Sequence, residues 1–143
     1  MAVWYALGLV AGMAQAVQAA VNAQLRGALQ SPLWAAFISF LVGTAGLALL
    51  VLASRAPIPA QWPSRPWVWS GGLLGVLYVC AAIVLLPRIG AGTLIGLFVA
   101  GQMTGGLILD HFGLLGVPPH TTSPGRLLGA ALVVAGVILL RRA

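Results

Sequence analysis

Apolar runs separated by short polar breaks repeat along the whole chain. The first run, residues 4–26, is WYALGLVAGMAQAVQAAVNAQLR. At about 100° per residue, Trp4, Gly8, Ala11, Gln15, Gln18 and Asn22 fall within an arc of roughly 80°, and the other faces hold mostly Ala, Leu, Val and Met. This predicts a helix over about 3–25 with an amide face. Arg26 and Gly27 are expected to end it, and Ser31-Pro32 to open the next as N-cap and first-turn proline. The second helix is expected over about 32–53, with Ala35, Ser39 and Gly43 recurring every four residues as a packing face. Residues 54–66, SRAPIPAQWPSRP, read as an aqueous loop. A third helix follows over about 67–86, a fourth over about 91–109 and a fifth over about 126–140, with 110–125 as a second long loop. The fifth helix would be short, and Arg126, Arg141 and Arg142 would snorkel to extend it.

The 9 prolines support this division, because none is expected inside a helix, where the ring removes a hydrogen bond. Pro87, Arg88 and Gly90 are expected to form a tight turn. Glycines spaced four apart (Gly71 and Gly75, Gly92 and Gly96, Gly101 and Gly105) are expected to let neighbouring backbones approach. Trp62, Trp67 and Trp69 form an interfacial belt, and Trp34 is an interfacial anchor.

Composition then fixes the solvent. The 143 residues are 61% hydrophobic and 6% charged, with a mean hydropathy of +1.07. A soluble domain carries about 25% charged residues, so this chain cannot cover a surface facing water, and its helices must face lipid. The expected fold is therefore all-α: a polytopic membrane protein with five transmembrane helices, the whole of 1–143 forming a single transmembrane domain. The first run is read as a span and not as a secretory leader, because no basic residue precedes it and three amides interrupt it.

The net charge of +6 comes from arginines scattered over loops and helix ends, so nucleic acid is not expected as a partner; the lipid bilayer is. With five spans, Arg55, Arg65 and Arg126 fall on one side and Arg26, Arg88, Arg141 and Arg142 on the other. So small a bias predicts insertion in both orientations and an antiparallel dimer, the intermolecular form of an inverted repeat.

An amide without a partner costs several kcal/mol in hydrocarbon. Gln15, Gln18 and Asn22 must therefore act as interhelical hydrogen-bond groups or line a cavity, and Gln102 is the single amide of the fourth helix. Tyr78 lies in mid-span and its hydroxyl also requires an interior position. These five are the candidate substrate-binding residues. No Asp, Glu, His or Arg lies within a span away from its ends, which argues against a carboxylate-driven proton antiporter for organic cations. Asp110, the only acid, is expected to pair with Arg126 or Arg88. His111 and His120 with Asp110 make too sparse a set for a metal. No phosphate loop, nucleophile elbow or zinc-protease motif is present. Neither an enzyme nor a cofactor or metal is expected.

The run Gln15…Asn22-Ala23-Gln24-Leu25-Arg26, then Ser31-Pro32-Leu33-Trp34-Ala35-Ala36 and Ser39-Phe40…Gly43, resembles the YdcZ-type small inner membrane proteins. So do Gly71-Gly72-Leu73-Leu74-Gly75-Val76, Pro87-Arg88-Ile89-Gly90-Ala91, Gly101-Gln102 and Asp110-His111-Phe112-Gly113. The resemblance implies membership of the drug/metabolite transporter superfamily, beside EamA-like transporters, and a place in the bacterial inner membrane. It also implies a five-helix half that pairs with a copy of itself, or with a related half as a heterodimer, into a ten-helix inverted-repeat carrier. The expected function is alternating-access transport of a small neutral or amphipathic polar solute. A narrow pore and a non-transporting scaffold subunit are the alternatives. The small multidrug proteins of that superfamily carry a first-helix glutamate, where this chain has amides.

Overall fold

The computed structural model describes residues 2–142, with the backbone alone of Arg141. All the regular structure among the described residues is helical. The helices are α1 (Ala2–Leu29), α2 (Pro32–Ala53), α3 (Gly71–Ile89), α4 (Ala91–Phe112) and α5 (Pro124–Arg142). A 3-10 turn, Pro66–Ser70, leads into α3, and another, Leu114–Gly116, follows α4. The first four spans are long and apolar enough to cross a membrane, and α5 is a fifth apolar helix. Large side chains point outward around them: Trp4 is 72% exposed and Leu139 68%. This is the arrangement expected where lipid replaces water as the solvent.

The caps explain the helix limits. Ser31 is extended (φ −148°, ψ 120°), and its hydroxyl accepts the Trp34 N–H at 3.3 Å while its carbonyl accepts the Ala35 N–H at 3.1 Å. Ser123 repeats this before Pro124, accepting the Arg126 N–H on Oγ at 3.3 Å and the Leu127 N–H on its carbonyl at 3.1 Å. Consequently α5 starts two residues earlier than the sequence reading placed it. Its 19 residues reach about 28 Å, but the apolar part, Pro124–Leu140, is still shorter than the other spans against a roughly 30 Å hydrocarbon core, as expected. The snorkelling expected of the Arg141 side chain lies outside what is described.

Three further boundaries differ from expectation. Helix α1 continues through Arg26 and Gly27 to Leu29, and Gln30, at φ 53°, turns the chain. Pro87 lies inside the last turn of α3 instead of in a turn beyond it. So near a helix end the missing hydrogen bond leaves few later turns to disturb, and the Arg88 guanidinium donates to the Val84 carbonyl at 3.4 Å. Helix α4 runs on through Asp110 and His111 to Phe112, where Gly113 (φ 59°, ψ 35°) closes it by donating to the Leu109 carbonyl. Between α3 and α4 stands only Gly90, at φ 75° and ψ 161°, a conformation open to glycine and strained for other residues.

The chain divides into two compact units, residues 1–88 and 89–143. In the first, α1 packs on α2, and Ala35, Ala36, Val79 and Ile83 form a core against which Leu25, Tyr78 and Cys80 rest. In the second, α4 packs on α5 and Val137 is buried. A Cβ on Gly96 would meet Val137 Cγ2 at 2.7 Å, so these two helices use the missing side chain of that glycine. The other spaced glycines do not behave as expected. A Cβ on Gly75 would meet only the Phe40 ring, at 3.6 Å, and on Gly71, Gly92, Gly101 or Gly105 nothing within 4 Å. The face of Gly75 is thus covered by the Phe40 ring at ordinary contact distance, and the other four are open.

Candidate functional site

The amide face of α1 is divided in depth. Asn22 is 4% exposed, whereas Gln15 and Gln18 are exposed, although all three share one helical stripe. Gln18 borders a groove between α1 and α2 of about 240 Å³, whose α2 wall is Ser39, Phe40, Gly43, Thr44 and Leu47. Positions 39, 43 and 47 lie one above the other on a helix, as do 40 and 44, so this wall is a single face of α2. Gly43 leaves space there: nothing lies within 4 Å of where its Cβ would stand. The groove thus joins one carboxamide and two hydroxyls to an aromatic ring and an aliphatic end. That set can hold a polar molecule by hydrogen bonds and its apolar part by contact.

The remaining candidates lie elsewhere. Gln15 does not line the groove, although it shares the stripe. Tyr78 is half-buried on α3 against the core of the first unit. Gln102 is exposed on α4 in the second unit. The sequence pattern places Ser39 in a packing face and gives Thr44 no role. Spacing alone does not join them, since positions five apart stand about 140° round a helix, and only the groove brings both hydroxyls to one wall.

The arginines and the acid are at helix ends. Asp110 Oδ2 accepts from Arg126 Nη1 at 3.1 Å, one of the two partners the sequence offers. The Asp110 carbonyl accepts the His120 N–H at 2.8 Å, and His111 Nδ1 lies 3.2 Å from Thr122 Oγ1. These contacts bind the 113–123 connection back onto the last turn of α4. The pair is partly solvated, with the Arg126 and Asp110 side chains 42% and 31% exposed, so it contributes roughly 0–1 kcal/mol. Asp110→Asn is therefore expected to lower thermal stability in detergent only slightly and to leave gradient-driven uptake in liposomes as strong as in wild type. Loss of that uptake with solute counterflow retained would make Asp110 the coupling group. Among the described residues no three His, Cys, Asp or Glu side chains come together to hold a metal ion.

Trp62 stacks on Trp69 with ring centroids 5.9 Å apart and planes inclined by 16°, and Trp69 Nε1 donates to the Pro63 carbonyl at 3.3 Å. The aromatic cluster is thereby held at the entrance to α3, beside Arg65.

Comparison with known proteins agrees with this architecture. Residues 3–139 match the family described as "Putative inner membrane exporter, YdcZ". The chain is 37% identical over 110 residues to "Inner membrane protein YdcZ" of Escherichia coli (strain K12), a match covering 77% of this chain and 66% of that protein. No solved structure matches the chain. The family is one of membrane transport and not of enzymes. A chain of apolar helices with charges at the helix ends, matched over nearly its whole length, thus belongs to the YdcZ family of multi-pass inner membrane proteins.

Proposed function

We propose that the chain is one half of an EamA-like carrier that works as a dimer, moving a small neutral or amphipathic polar solute by alternating access. The observation that carries this reading is the amide face of α1. Gln15 and Gln18 stand exposed on a helix whose other surfaces suit lipid. At membrane depth an uncovered amide costs several kcal/mol. A second chain and the aqueous cavity between the two would remove that cost, and the groove with Gln18, Ser39 and Thr44 would face the cavity. Gln15 and Gln18 are then the solute-facing groups of α1, with Asn22 enclosed beneath them on the same stripe. Neutral amides and hydroxyls suit a neutral or amphipathic solute, because no counter-charge stands among them.

The partner is a second copy, or a related half, in the opposite orientation. The near balance of arginines between the two sides supports this, and it leads to a direct prediction. With Cys80 replaced by Ala, a cysteine at the exposed loop position Ser64 is expected to label from both faces of sealed membranes. Adding two Lys to 54–66 is expected to fix that loop in the cytoplasm. Labelling of the unshifted protein from one face alone would exclude dual insertion.

Transport itself is tested in liposomes. A metabolite that raises the melting temperature of the purified protein is loaded inside, and exchange with labelled external solute is followed. A carrier gives saturable flux accelerated by internal solute, a pore gives neither, and a scaffold subunit gives no flux.

A further inference from the structure

The polar side chains of the α1–α2 groove share a second property. None of Gln18, Ser39 and Thr44 has a side-chain hydrogen bond among the described residues. By contrast, the hydroxyls of Thr104, Ser54 and Ser70 each donate to a carbonyl three or four residues back, at 2.9, 3.2 and 2.7 Å. A polar group away from water is costly when it stays unpaired, and here three such groups line a single groove. Together they present donors and acceptors, since a carboxamide offers both and so does a hydroxyl. No acid or base borders the groove, so the matching head carries no charge.

Size is set by Gly43. Along one face of α2, Ala35 is fully buried, Ser39 half-buried and Gly43 exposed. Close packing therefore ends between Ser39 and Gly43. At Gly96 on α4 a valine stands where the side chain is missing, whereas nothing lies within 4 Å of the Cβ position of Gly43. Four-residue spacing assigns Gly43 to helix packing; within this chain the glycine widens the groove instead. A space of about 240 Å³ equals roughly eight waters at about 30 Å³ each. It is smaller than the roughly 300–1,000 Å³ of clefts that hold drug-sized ligands, so a few added methyl groups take up much of it.

We propose that Gly43 is the specificity-determining residue of the solute site. Its bare backbone admits a compact, uncharged molecule with a carboxamide or hydroxyl head held by Gln18, Ser39 and Thr44, and a flat or short apolar body against Phe40 and Leu47. This rests on the reading of the groove as the solute path. A side chain at position 43 leaves the helix intact and closes the site to the larger members of that class.

The test is ligand-observed NMR on the protein in lipid nanodiscs, with empty nanodiscs as the blank. The probes are acetamide, hexanamide and benzamide, with tetramethylammonium as the charged comparison. Wild type is expected to bind the three amides and not the cation. Gly43→Val puts a β-branched side chain, which has few rotamers in which to swing aside, into the groove. It is expected to weaken benzamide by about tenfold and acetamide by about twofold or less, with thermal stability no lower than wild type. Gly46→Val, on the same helix, with equally open space at its Cβ and outside the groove lining, is expected to bind as wild type does. Gln18→Leu is expected to lose all three amides. Benzamide and acetamide affected equally in Gly43→Val, or benzamide weakened as much in Gly46→Val, would overturn the role of Gly43 and leave the solute site standing if Gln18→Leu still loses the amides. Dissociation of the dimer in Gly43→Val would overturn it too, making the glycine an assembly contact. Tetramethylammonium bound as tightly as benzamide would overturn the uncharged class. Amide binding absent from wild type, or untouched by Gln18→Leu, would overturn both the proposal and the solute site beneath it.

Discussion

Gln18→Leu is expected to reduce solute counterflow at least tenfold while leaving the folded protein as stable as wild type. The two effects separate because Gln18 is exposed and borders the α1–α2 groove, and leucine occupies similar space. Interhelical polar contacts in membranes average only about 0.6 kcal/mol, so little folding energy is at stake. A polar solute deprived of its amide partner loses more. A group left unpaired in a site shielded from water costs about 1–3 kcal/mol, and 1.4 kcal/mol is already tenfold. Asn22→Ala is expected to have a comparable effect on flux, with a larger effect on folding, because that side chain is enclosed. The measurements are counterflow in liposomes and thermal unfolding in detergent on the same preparations. Full counterflow in Gln18→Leu would show that the groove is not the solute path. Unfolding of Gln18→Leu with normal ligand affinity in the surviving protein would make the amide face an assembly surface.

Gly96→Ala is expected to destabilise the second unit by about 1–3 kcal/mol, the usual cost of overpacking. Helix propensity acts the other way, since alanine is about 1 kcal/mol better than glycine in a helix. The clash outweighs it here. The new methyl would stand 2.7 Å from Val137 Cγ2, and a β-branched valine in a helix has one strongly preferred rotamer in which to wait. Val137→Ala in the same chain removes the obstructing methyl groups and is expected to recover most of the loss. Gly105→Ala, on the same helix with nothing within 4 Å of the new methyl, is the control. It is expected to be neutral or stabilising by up to about 1 kcal/mol. The assay is unfolding in detergent for the two single variants and the double. A Gly96→Ala protein as stable as Gly105→Ala would show that α4 and α5 do not meet at Val137.

Much of this fold is legible before any coordinates, and the places where it is not share a physical cause. Ser31-Pro32 announces the start of α2 because a serine with a free lone pair and a proline with no N–H both suit the first turn. Ser123-Pro124 carries the same information and starts α5 in the same way. It was hidden by the prolines at 118 and 119, which make the whole stretch read as loop. Pro87 was read as a stop because proline forbids a hydrogen bond four residues back, yet a helix that ends two residues later loses little by it. The spaced glycines were harder. Their spacing establishes that a backbone is accessible, and only the packing of another helix decides whether it is approached. Gly96 meets Val137, and Gly101 and Gly105 meet nothing. The amide stripe has the same limit. Periodicity puts Gln15, Gln18 and Asn22 on one face, but burial depends on neighbours remote in sequence, so the contrast between Asn22 and Gln18 became visible only in three dimensions. Ser39 and Thr44 carry no site signal in the sequence, because a hydroxyl in a span can be satisfied by its own helix, as Thr104 is by the Ala100 carbonyl at 2.9 Å.

The connectors between helices have a practical consequence for tagging. Gln30 and Ser31 alone join α1 to α2, and Gly90 alone joins α3 to α4, each with a positive-φ residue at the bend. An inserted epitope or fluorescent reporter at either point would force both helix ends apart. The connection at 113–123 is long enough, but it is fastened to α4 through His120 and Thr122. Residues 57–61 are different: they are exposed, and no hydrogen bond among the described residues involves them. An inserted tag between Pro59 and Ala60 would leave every cap and the α1–α2 groove in place. That makes this short stretch the internal position at which a folded reporter can be carried without breaking the bundle it reports on.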